Sequence, residues 1–430
     1  MTYQDFLRRK LVSARPNGLA SVPELHPCLF DFQRRVVDRA LRAGRYAMFL
    51  DTGLGKTLCQ LEWASCVPGE VLILAPPAVA PQTVREASQK LGLAVHHSRD
   101  GSALGKITIT NYERMHRFDL TRFSGVVLDE SSILKSFHGK TRNLLVESFK
   151  QTPFRLACTA TPSPNDHTEL GNHAEFLGIM TTNQMQARWF VNDTGETGTW
   201  RLKGHAAQDF WRWVSTWAAC VSKPSDAGGD DWHFVLPPLT TAMHVVETKA
   251  RPDVDSGSLF GFTELSATNI YADKRATLNE RVKRSAELAD TSEPTIIWCE
   301  SNDESAALSR AIPNSVEVRG SDDPDEKEEK LDAFSRGDVS KIITKPSIAG
   351  FGLNWQHCSH VVFASLSFSY ESFYQAIRRS WRFGQKRPVR VDVVIAESEQ
   401  GVLRAVREKM EAHDEMKTAM RNAAINALNA

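Results

Sequence analysis

The sequence predicts an α/β protein with two successive lobes, each a mostly parallel sheet with helices on both faces. Short apolar runs alternate with helical stretches in the first half of the chain, and the pattern restarts after LPPL at 236–239. Such runs, apolar on both faces and separated by helices, are typical of parallel sheets covered on both sides. The 430 residues and the apolar content of 41% suffice for two or three domains with real cores.

The first lobe is predicted from five strand-like runs. They are YAMFL at 46–50, VLILAPP at 71–77, ITITNY at 107–112, GVVLDE at 125–130 and RLACTATP at 155–162. Helices are expected from Thr57 to about Ser65 and up to about Lys90. Because ligands of parallel sheets bind at the carboxyl ends of the strands, we expect a site where these runs end.

A second sheet is predicted in the other half of the chain. A helix-like stretch at about 271–290 precedes five more strand-like runs. They are PTIIWCES at 294–301, SVEVRG at 315–320, IITKP at 342–346, HVVFAS at 360–365 and VRVDVVIA at 389–396. The charged run at 321–334 is interpreted as the solvated start of a helix. From Glu399 onward, the chain is expected to form one or two amphipathic helices rich in alanine.

These patterns divide the chain into five segments. They are an N-terminal extension (1–24), a first lobe (25–188), a tryptophan-rich insertion or linker (189–237), a second lobe (238–398) and a C-terminal helical segment (399–430). The third segment holds six of the ten tryptophans. Because buried aromatic residues usually serve packing, a small aromatic cluster is the preferred interpretation. Stacking on bases or wedging into a duplex is the alternative.

Charge and cysteine content limit the classes of function. Lys plus Arg and Asp plus Glu both total 52, so any contact with nucleic acid needs a local basic face. The seven cysteines form no C-x-x-C pair and suit a reducing cytosol. No run reaches about 18 apolar residues, so neither export nor a membrane partner is expected.

The stretch YAMFLDTGLGKT predicts a loop that binds nucleotide phosphates. Gly53 and Gly55 let successive backbone N–H groups turn toward an anion, and the following helix adds its positive end. Lys56 would reach the β- and γ-phosphates, and the Thr57 hydroxyl would bind a phosphate-held Mg²⁺. Leu50 stands where the strict G-x-x-x-x-G-K-[ST] pattern has its first glycine. ATP and Mg²⁺ are the expected cofactors.

Asp129 and Glu130 stand where the run GVVLDE ends, about seventy residues after the phosphate loop. We assign Asp129 to the metal shell and Glu130 to orienting the attacking water and accepting its proton. An acidic pair that caps the next helix is the alternative, but it does not explain the pairing with a phosphate loop.

Further motifs follow in order along the chain. They are FDFQRR (30–35), DTGLGKT (51–57), LILAPP (72–77), TITNYE (108–113), VVLDESSILKS (126–136), CTATPSPND (158–166), TIIWCES (295–301), AGFGLNW (349–355) and QAIRRSWRFGQ (375–385). Together they resemble the core of superfamily-two helicases, which implies two tandem RecA-like lobes with the ATP site in the cleft between them. Within that superfamily the chain is most similar to the Swi/Snf-type DNA translocases. Lys135 matches the family pattern D-E-A-H-R-x-K-N, AGFGLN is similar to A-G-G-x-G-L-N, and QAIRRSWRFGQ to Q-A-x-x-R-x-x-R-x-G-Q.

The resemblance implies roles for individual residues. Gln33 would read the adenine edge, which demands both a donor and an acceptor. Thr159 and Thr161 would link the nucleotide site to the nucleic-acid track. Arg379 and Arg382 would stabilise charge on the transferring phosphoryl group, the alternative being a solvated basic helix face. The implied nucleotide ligands are Gln33, Thr52, Gly53, Gly55, Lys56, Thr57 and Gln375, and the implied nucleic-acid contacts are Pro76, Thr110, Asn111, Thr344 and Asn354.

Two motifs depart from the family pattern. Ser131 and Ser132 replace the alanine and histidine of the acidic motif, and Ala160 replaces the glycine of L-T-G-T. Both are local changes that should leave hydrolysis intact.

The resemblance implies an ATP-driven translocase that moves along double-stranded DNA and remodels protein–DNA complexes or branched DNA. The compact core points to a bacterial or phage protein in the cytoplasm. It is expected to act as a monomer, with a protein partner in replication, recombination or repair. Two alternatives stay open. One is a strand-separating DNA or RNA helicase with the tryptophan-rich segment as its wedge, and the other is a nucleotide-gated binding switch.

Overall fold

The structure is a computed structural model. It describes residues 13–76, 79–102, 104–135, 139–163, 166–192, 200–246, 274–350, 353–367, 369–396 and 399–428. The chain divides into two compact units. Unit 1 contains residues 1–235 and 412–430, and unit 2 contains residues 236–411.

Unit 1 is built on a seven-stranded sheet in which every pairing is parallel. Its strands are β1 (Arg45–Leu50), β2 (Glu70–Ala75), β3 (Val95–His97), β4 (Ile107–Asn111), β5 (Phe123–Asp129), β6 (Phe154–Cys158) and β9 (Ala218–Val221), in the order β3-β4-β2-β5-β6-β1-β9. The antiparallel hairpin β7 (Phe190–Asn192) and β8 (Trp200–Leu202) lies outside this sheet. All five predicted runs form strands, and the two strands at the edges, β3 and β9, were not predicted.

The helices of unit 1 follow the strands in the manner expected for a parallel sheet. They are Asp31–Ala43, Lys56–Cys66, Ala80–Glu86, Lys140–Ser148, Leu170–Phe176, Thr182–Trp189 and Ala207–Ser215, with a π-helical turn at Ala87–Leu91. Short 3₁₀ turns occur at Tyr112–Arg117, Leu120–Arg122, Ser131–Lys135, His167–Glu169, Gly204–Ala206, Pro224–Ala227 and Trp232–Phe234. The helices predicted after the phosphate loop and up to Lys90 are therefore present.

The sheet of unit 1 is buried on both faces. Successive side chains of a strand point to opposite faces, and β1 supplies both cores. Tyr46 and Met48 join the core formed with the helix Asp31–Ala43, whereas Ala47 and Phe49 join the core on the other face. This two-sided burial explains why β1 is apolar at nearly every position.

Most of the tryptophan-rich segment belongs to the core of unit 1. Four of its side chains are buried in the core on the sheet face that contains Ala47 and Phe49. They are Trp189, Trp211, Trp213 and Trp217. The rings of Trp189 and Trp213 stack with centroids 4.7 Å apart, and β9 follows at once and pairs with β1. The burial of these four side chains favours packing over base stacking, whereas Trp232 is exposed.

Unit 2 contains a six-stranded sheet that is also parallel throughout. Its strands are β10 (Leu239–Val246), β11 (Thr295–Trp298), β12 (Ser315–Glu317), β13 (Lys341–Thr344), β14 (His360–Phe363) and β15 (Val389–Ala396), in the order β10-β15-β14-β11-β13-β12. Its helices are Leu278–Ala289, Asn302–Ala311, Pro324–Arg336, Pro346–Ala349 and Tyr370–Ile377. The five predicted strands and the helices expected near 271–290 and 321–334 are present, although 271–273 lie outside the described residues.

The last helix, Gln400–Leu428, is divided between the units, with residues 412 onward in unit 1. Within the described part of the chain, no helix has the length and apolar character needed to cross a membrane. The predicted fold class, two α/β lobes with parallel sheets covered by helices, is confirmed.

Candidate nucleotide and catalytic site

The predicted phosphate loop connects β1 to the helix Lys56–Cys66. Gly53 and Gly55 have φ angles of 95° and 79°, a region that favours glycine because it has no Cβ. At Gly55, a Cβ would also clash with Nε2 of Gln33. The loop therefore needs glycine for its backbone shape and for its close approach to a neighbouring side chain.

Lys56 and Thr57 are the first two residues of the helix that follows the loop. The backbone N–H groups and the dipole at such a helix start favour bound anions. Lys56 Nζ donates to the Leu50 carbonyl oxygen at 3.0 Å, so the ammonium group is held against the loop itself. Thr52 is buried in the loop turn. The glycine loop therefore leads directly into a helix that starts with Lys56 and Thr57, and binding of phosphates there stays a prediction.

Gln33 is buried beside the loop. Its Oε1 accepts from the backbone N–H of Phe30 at 2.9 Å, and its Nε2 donates to the Leu54 carbonyl oxygen at 2.8 Å. The amide thus ties the start of the helix Asp31–Ala43 to the phosphate loop. Its predicted role, contact with adenine, stays a prediction.

The two predicted carboxylates lie at the carboxyl end of β5, and both are buried. Gln60, four residues after Lys56 in the same helix, donates from Nε2 to Oδ1 of Asp129 at 2.7 Å. Tyr112 donates its hydroxyl to the Asp129 backbone carbonyl at 2.7 Å, and burial raises the pKa of Tyr112 well above its ordinary value, which keeps that proton in place. The helix that begins at Lys56 is thereby bonded directly to the predicted metal-shell residue.

Glu130 has an unusual backbone conformation, with φ of 55°. Non-glycine residues seldom adopt this region, and such strain concentrates at functional sites. Thr159 Oγ1 donates to Glu130 Oε2 at 3.4 Å, and the Thr161 backbone N–H donates to Thr159 Oγ1 at 3.1 Å. Of the two threonines predicted to couple the sites, Thr159 contacts the predicted general base, and Thr161 contacts Thr159.

A buried histidine lies next to the acidic pair and was not found from the sequence. His173, on the helix Leu170–Phe176, has Nε2 3.1 Å from Ser131 Oγ, and its ring packs edge-on against Phe49. Burial lowers the pKa of His173 to about 4, so the ring is neutral near pH 7. The acidic motif lacks its usual histidine at Ser132, yet an imidazole still contacts the neighbouring serine.

The two predicted arginines both lie in unit 2 but in different surroundings. The Arg379 guanidinium is buried, and it donates to the Gln375 carbonyl, the Gln375 Oε1 and the Leu353 carbonyl at 3.0, 3.0 and 3.1 Å. Arg382 is partly exposed and donates from one terminal nitrogen to the same Leu353 carbonyl at 3.0 Å. Arg378 packs over the rings of Tyr374 and Trp381. Gln375 is itself fully buried.

The residues predicted to contact nucleic acid differ in exposure. Thr110 and Thr344 are buried inside their sheets, and Thr344 Oγ1 donates to the Val318 carbonyl at 3.3 Å. Pro76, Asn111 and Asn354 are partly exposed. The side chain of Asn111 accepts from the backbone of Arg114 and that of Asn354 from the backbone of Gln356. Exposure favours the last three for a direct contact, and all five assignments stay predictions.

Comparisons with known proteins address the fold and the second half of the chain. Residues 274–384 match the family model described as the helicase conserved C-terminal domain. This span includes the two predicted arginines. A search of curated protein sequences finds no match.

Solved structures show the same fold. Dbp5 of S. cerevisiae, described as bound to RNA and ADP BeF3, aligns with a TM-score of 0.58 over 93% of this chain and 98% of its own chain, at 13% sequence identity. It is one of 707 solved chains that match, so the fold is widespread and does not by itself specify a substrate. The alignment spans both units, and two RecA-like lobes in tandem are the architecture that the chain shares with this structure.

Proposed function

We propose that this superfamily-two helicase core uses ATP hydrolysis to move along double-stranded DNA. The match of residues 274–384 to the helicase conserved C-terminal domain supports a helicase core, and with it the predicted class of enzyme, a nucleic-acid-dependent ATPase. The fold shared with Dbp5 agrees with this. The choice of duplex DNA is the finer part of the proposal. It is supported by the resemblance of the acidic motif and of QAIRRSWRFGQ to the Swi/Snf-type patterns.

The single observation that carries the catalytic part is the contact between the phosphate-loop helix and the acidic pair. Gln60 joins that helix to Asp129 at 2.7 Å, and Thr159 holds Glu130. A nucleotide whose phosphates lie on the loop would therefore have both carboxylates at the same end of the sheet. Hydrolysis needs this combination of phosphate cradle and base.

The residues present also fit the expected cofactor. Thr57 and Asp129 offer oxygen atoms, the ligand type that Mg²⁺ prefers, and Mg²⁺ at phosphate sites uses one or two protein ligands together with phosphate oxygens. When bound, Mg²⁺ would neutralise charge on the phosphates. Lys56, on the helix start, would bind the β- and γ-phosphates, and Gln60 would keep the Asp129 carboxylate in one orientation.

Glu130 is assigned as the residue that orients water and accepts its proton. Thr159, which donates to Glu130, is assigned to coupling the nucleotide site to the nucleic-acid track. Among the arginines, we assign Arg382 to the transferring phosphoryl group. Arg379 is buried and donates three hydrogen bonds within unit 2, so we assign it to holding the loop at Leu353. An arginine on the phosphoryl group is worth about 10³–10⁵ in rate.

A strand-separating helicase is the second candidate. The structure of Dbp5, which shares the fold, contains RNA, so RNA is included among the substrates that test this candidate. The expectations of a monomer, of a cytoplasmic bacterial or phage protein and of a partner in DNA metabolism stay predictions.

The deciding experiment measures ATP hydrolysis with duplex DNA, single-stranded DNA or RNA, together with displacement of a third strand from a triplex. We expect duplex DNA to stimulate best and the third strand to be displaced without duplex separation, with both activities lost in Lys56→Ala. Because contacts to the phosphate backbone dominate such binding, the affinity should fall steeply with salt. Stimulation by RNA alone, or unwinding of a duplex, would replace the translocase with the second candidate.

A further inference from the structure

The C-terminal helix contributes to the core of unit 1. Met416 and Met420 are 1% and 3% exposed and lie in the same apolar core as Phe49 of β1. Ala419 and Ala423 pack against that core from the side. The spacing of three and four residues places these side chains on one face of the helix. Residues about 370 positions apart thus share one core, and the helix is an integral part of the unit that contains the predicted phosphate loop.

Two basic side chains of this helix form ion pairs with unit 1. Lys417 Nζ contacts Oδ1 of Asp51, and the two side chains are only 11% and 14% exposed. Arg421, one turn later, lies with Nε 3.8 Å from Oδ1 of the buried Asp226. The first pair is shielded from water, so its charges interact more strongly than those of a surface pair.

Asp51 is the residue at which β1 becomes the phosphate loop. Its backbone N–H donates to the Val221 carbonyl at 3.0 Å, and its own carbonyl accepts from the Leu54 N–H at 3.2 Å. These bonds fix the loop entry to β9 and close the turn that leads to Gly55. Asp51 therefore anchors the backbone at the point where the loop begins.

We propose that Lys417 is a positioning residue for the nucleotide phosphates, acting through Asp51. The inference rests on the proposed function, in which this loop binds ATP. Lys417 has two effects there. It tethers the loop entry to the C-terminal helix, and it neutralises a carboxylate at the edge of a site for a highly charged anion. Without the ammonium group, the Asp51 charge would repel the phosphates, and the loop entry would lose one of its contacts.

The test measures binding of a fluorescent ATP analogue to the full chain, without nucleic acid and without turnover. Lys417→Gln is expected to weaken binding about tenfold, within the usual range of coupling between linked sites. Adding Asp51→Asn to Lys417→Gln should recover most of that loss, because the negative charge of the carboxylate is gone. The matched control is Arg421→Gln, which removes an ion pair of the same helix at Asp226 and should leave binding within about twofold of wild type.

Equal weakening by Lys417→Gln and Arg421→Gln would attribute the effect to helix docking and overturn the inference. Unchanged binding in Lys417→Gln, or no recovery in the double variant, would also overturn it. Should Lys417→Gln fail to fold, the double variant Asp51→Lys with Lys417→Asp, which exchanges the two charges, supplies the test. Binding near the wild-type value supports the inference, and strongly weakened binding contradicts it.

Amide hydrogen exchange of residues 52–55 separates this inference from the proposed function. Faster exchange there in Lys417→Gln than in Arg421→Gln supports the tether even in a chain that hydrolyses no ATP. A wild-type chain that binds no nucleotide would contradict the proposed function, and the exchange rates would still decide whether Lys417 orders the loop.

Discussion

Gln60 donates a hydrogen bond from Nε2 to Oδ1 of Asp129 at 2.7 Å, and both side chains are buried. Gln60 follows Lys56 by four residues, about one turn of helix. The same helix therefore starts at the predicted phosphate site and holds the carboxylate that is assigned to the metal ion. The position of Gln60 predicts a supporting role in catalysis, exerted through Asp129.

Gln60→Leu is expected to lower ATP turnover and to raise the Mg²⁺ concentration needed for half-maximal activity, each by about tenfold, because loss of a group that orients a metal ligand costs about 10- to 100-fold. The measurement is a magnesium titration of the ATPase rate. Gln82→Leu is the matched control, because Gln82 donates a hydrogen bond to the partly buried Glu86 of its own helix. Unaltered magnesium dependence in Gln60→Leu would remove the orienting role.

Glu130→Gln should abolish ATP hydrolysis while leaving ATP binding intact. The amide keeps the shape of the side chain and can still accept from Thr159, but it cannot take a proton from water. General-base catalysis is worth about 10²–10⁴ in rate, so a loss of that size is expected. Lys56→Ala, in contrast, should lose binding as well as turnover. Single-turnover kinetics and equilibrium binding separate the two, and normal turnover in Glu130→Gln would refute the assignment of the base.

Arg382→Ala and Arg379→Ala should differ in kind. Arg382→Ala is expected to bind ATP normally and to lose about 10³ in turnover. Arg379→Ala should instead destabilise unit 2 by about 1–3 kcal/mol, because the buried Gln375 side chain and carbonyl lose this donor and the Leu353 carbonyl keeps only its bond from Arg382. Urea titrations report the stability and initial rates the turnover. A fully stable Arg379→Ala protein with no turnover would place both arginines on the phosphoryl group.

The sequence predicted the strands in the middle of both sheets, and it missed three of the four edge strands, β3, β9 and β10. β9 consists of small residues that follow a tryptophan cluster, and β10 is largely open to solvent on its edge, with an irregular burial pattern. β10 lacks the continuous apolar run that identified β1 or β5, and the run of β9 is short and lacks the large aliphatic side chains of those strands. Both strands are fixed by long-range pairing, β9 with β1 and β10 with β15.

The candidate site was predicted where motifs are contiguous and missed where contacts are distant. Gly53 to Thr57 and the pair Asp129 and Glu130 are each read from one short stretch. The contacts Gln60–Asp129, Ser131–His173 and Asp51–Lys417 join residues 69, 42 and 366 positions apart. Local patterns carry no signal for such pairs. For Gln60 the sequence held one indication, because its spacing of four residues from Lys56 places both on the same face of the predicted helix.

Unit 1 should lose stability in mild acid through His173. Burial lowers the pKa of its imidazole to about 4, against about 6.5 for an exposed histidine. Between these two values the unfolded chain binds a proton that the folded chain does not, so stability falls as the pH falls through this window, by about 3 kcal/mol in all.

His173→Gln should flatten that dependence, because glutamine does not titrate and can still bond Ser131. Urea titrations at about pH 7 and about pH 5 give the change in the free energy of unfolding with pH. Hydrogen exchange of the β5 and β6 amides shows that the change belongs to unit 1. The control is His205→Gln, at an exposed position of the same unit, which should keep the wild-type slope. An equally steep slope in His173→Gln would assign the acid sensitivity to other groups.

Met420→Ala should destabilise unit 1 by about 2–5 kcal/mol, the range for truncating a buried methionine or leucine. The side chain is 3% exposed in the core that contains Phe49. Met410→Ala, in the same helix but 41% exposed, should change stability by less than about 0.5 kcal/mol. Because Lys417 lies between Met416 and Met420, docking of this helix is also a condition for the Asp51 ion pair. A Met420→Ala protein as stable as wild type, measured by urea unfolding of unit 1, would contradict a structural role for the helix in that unit.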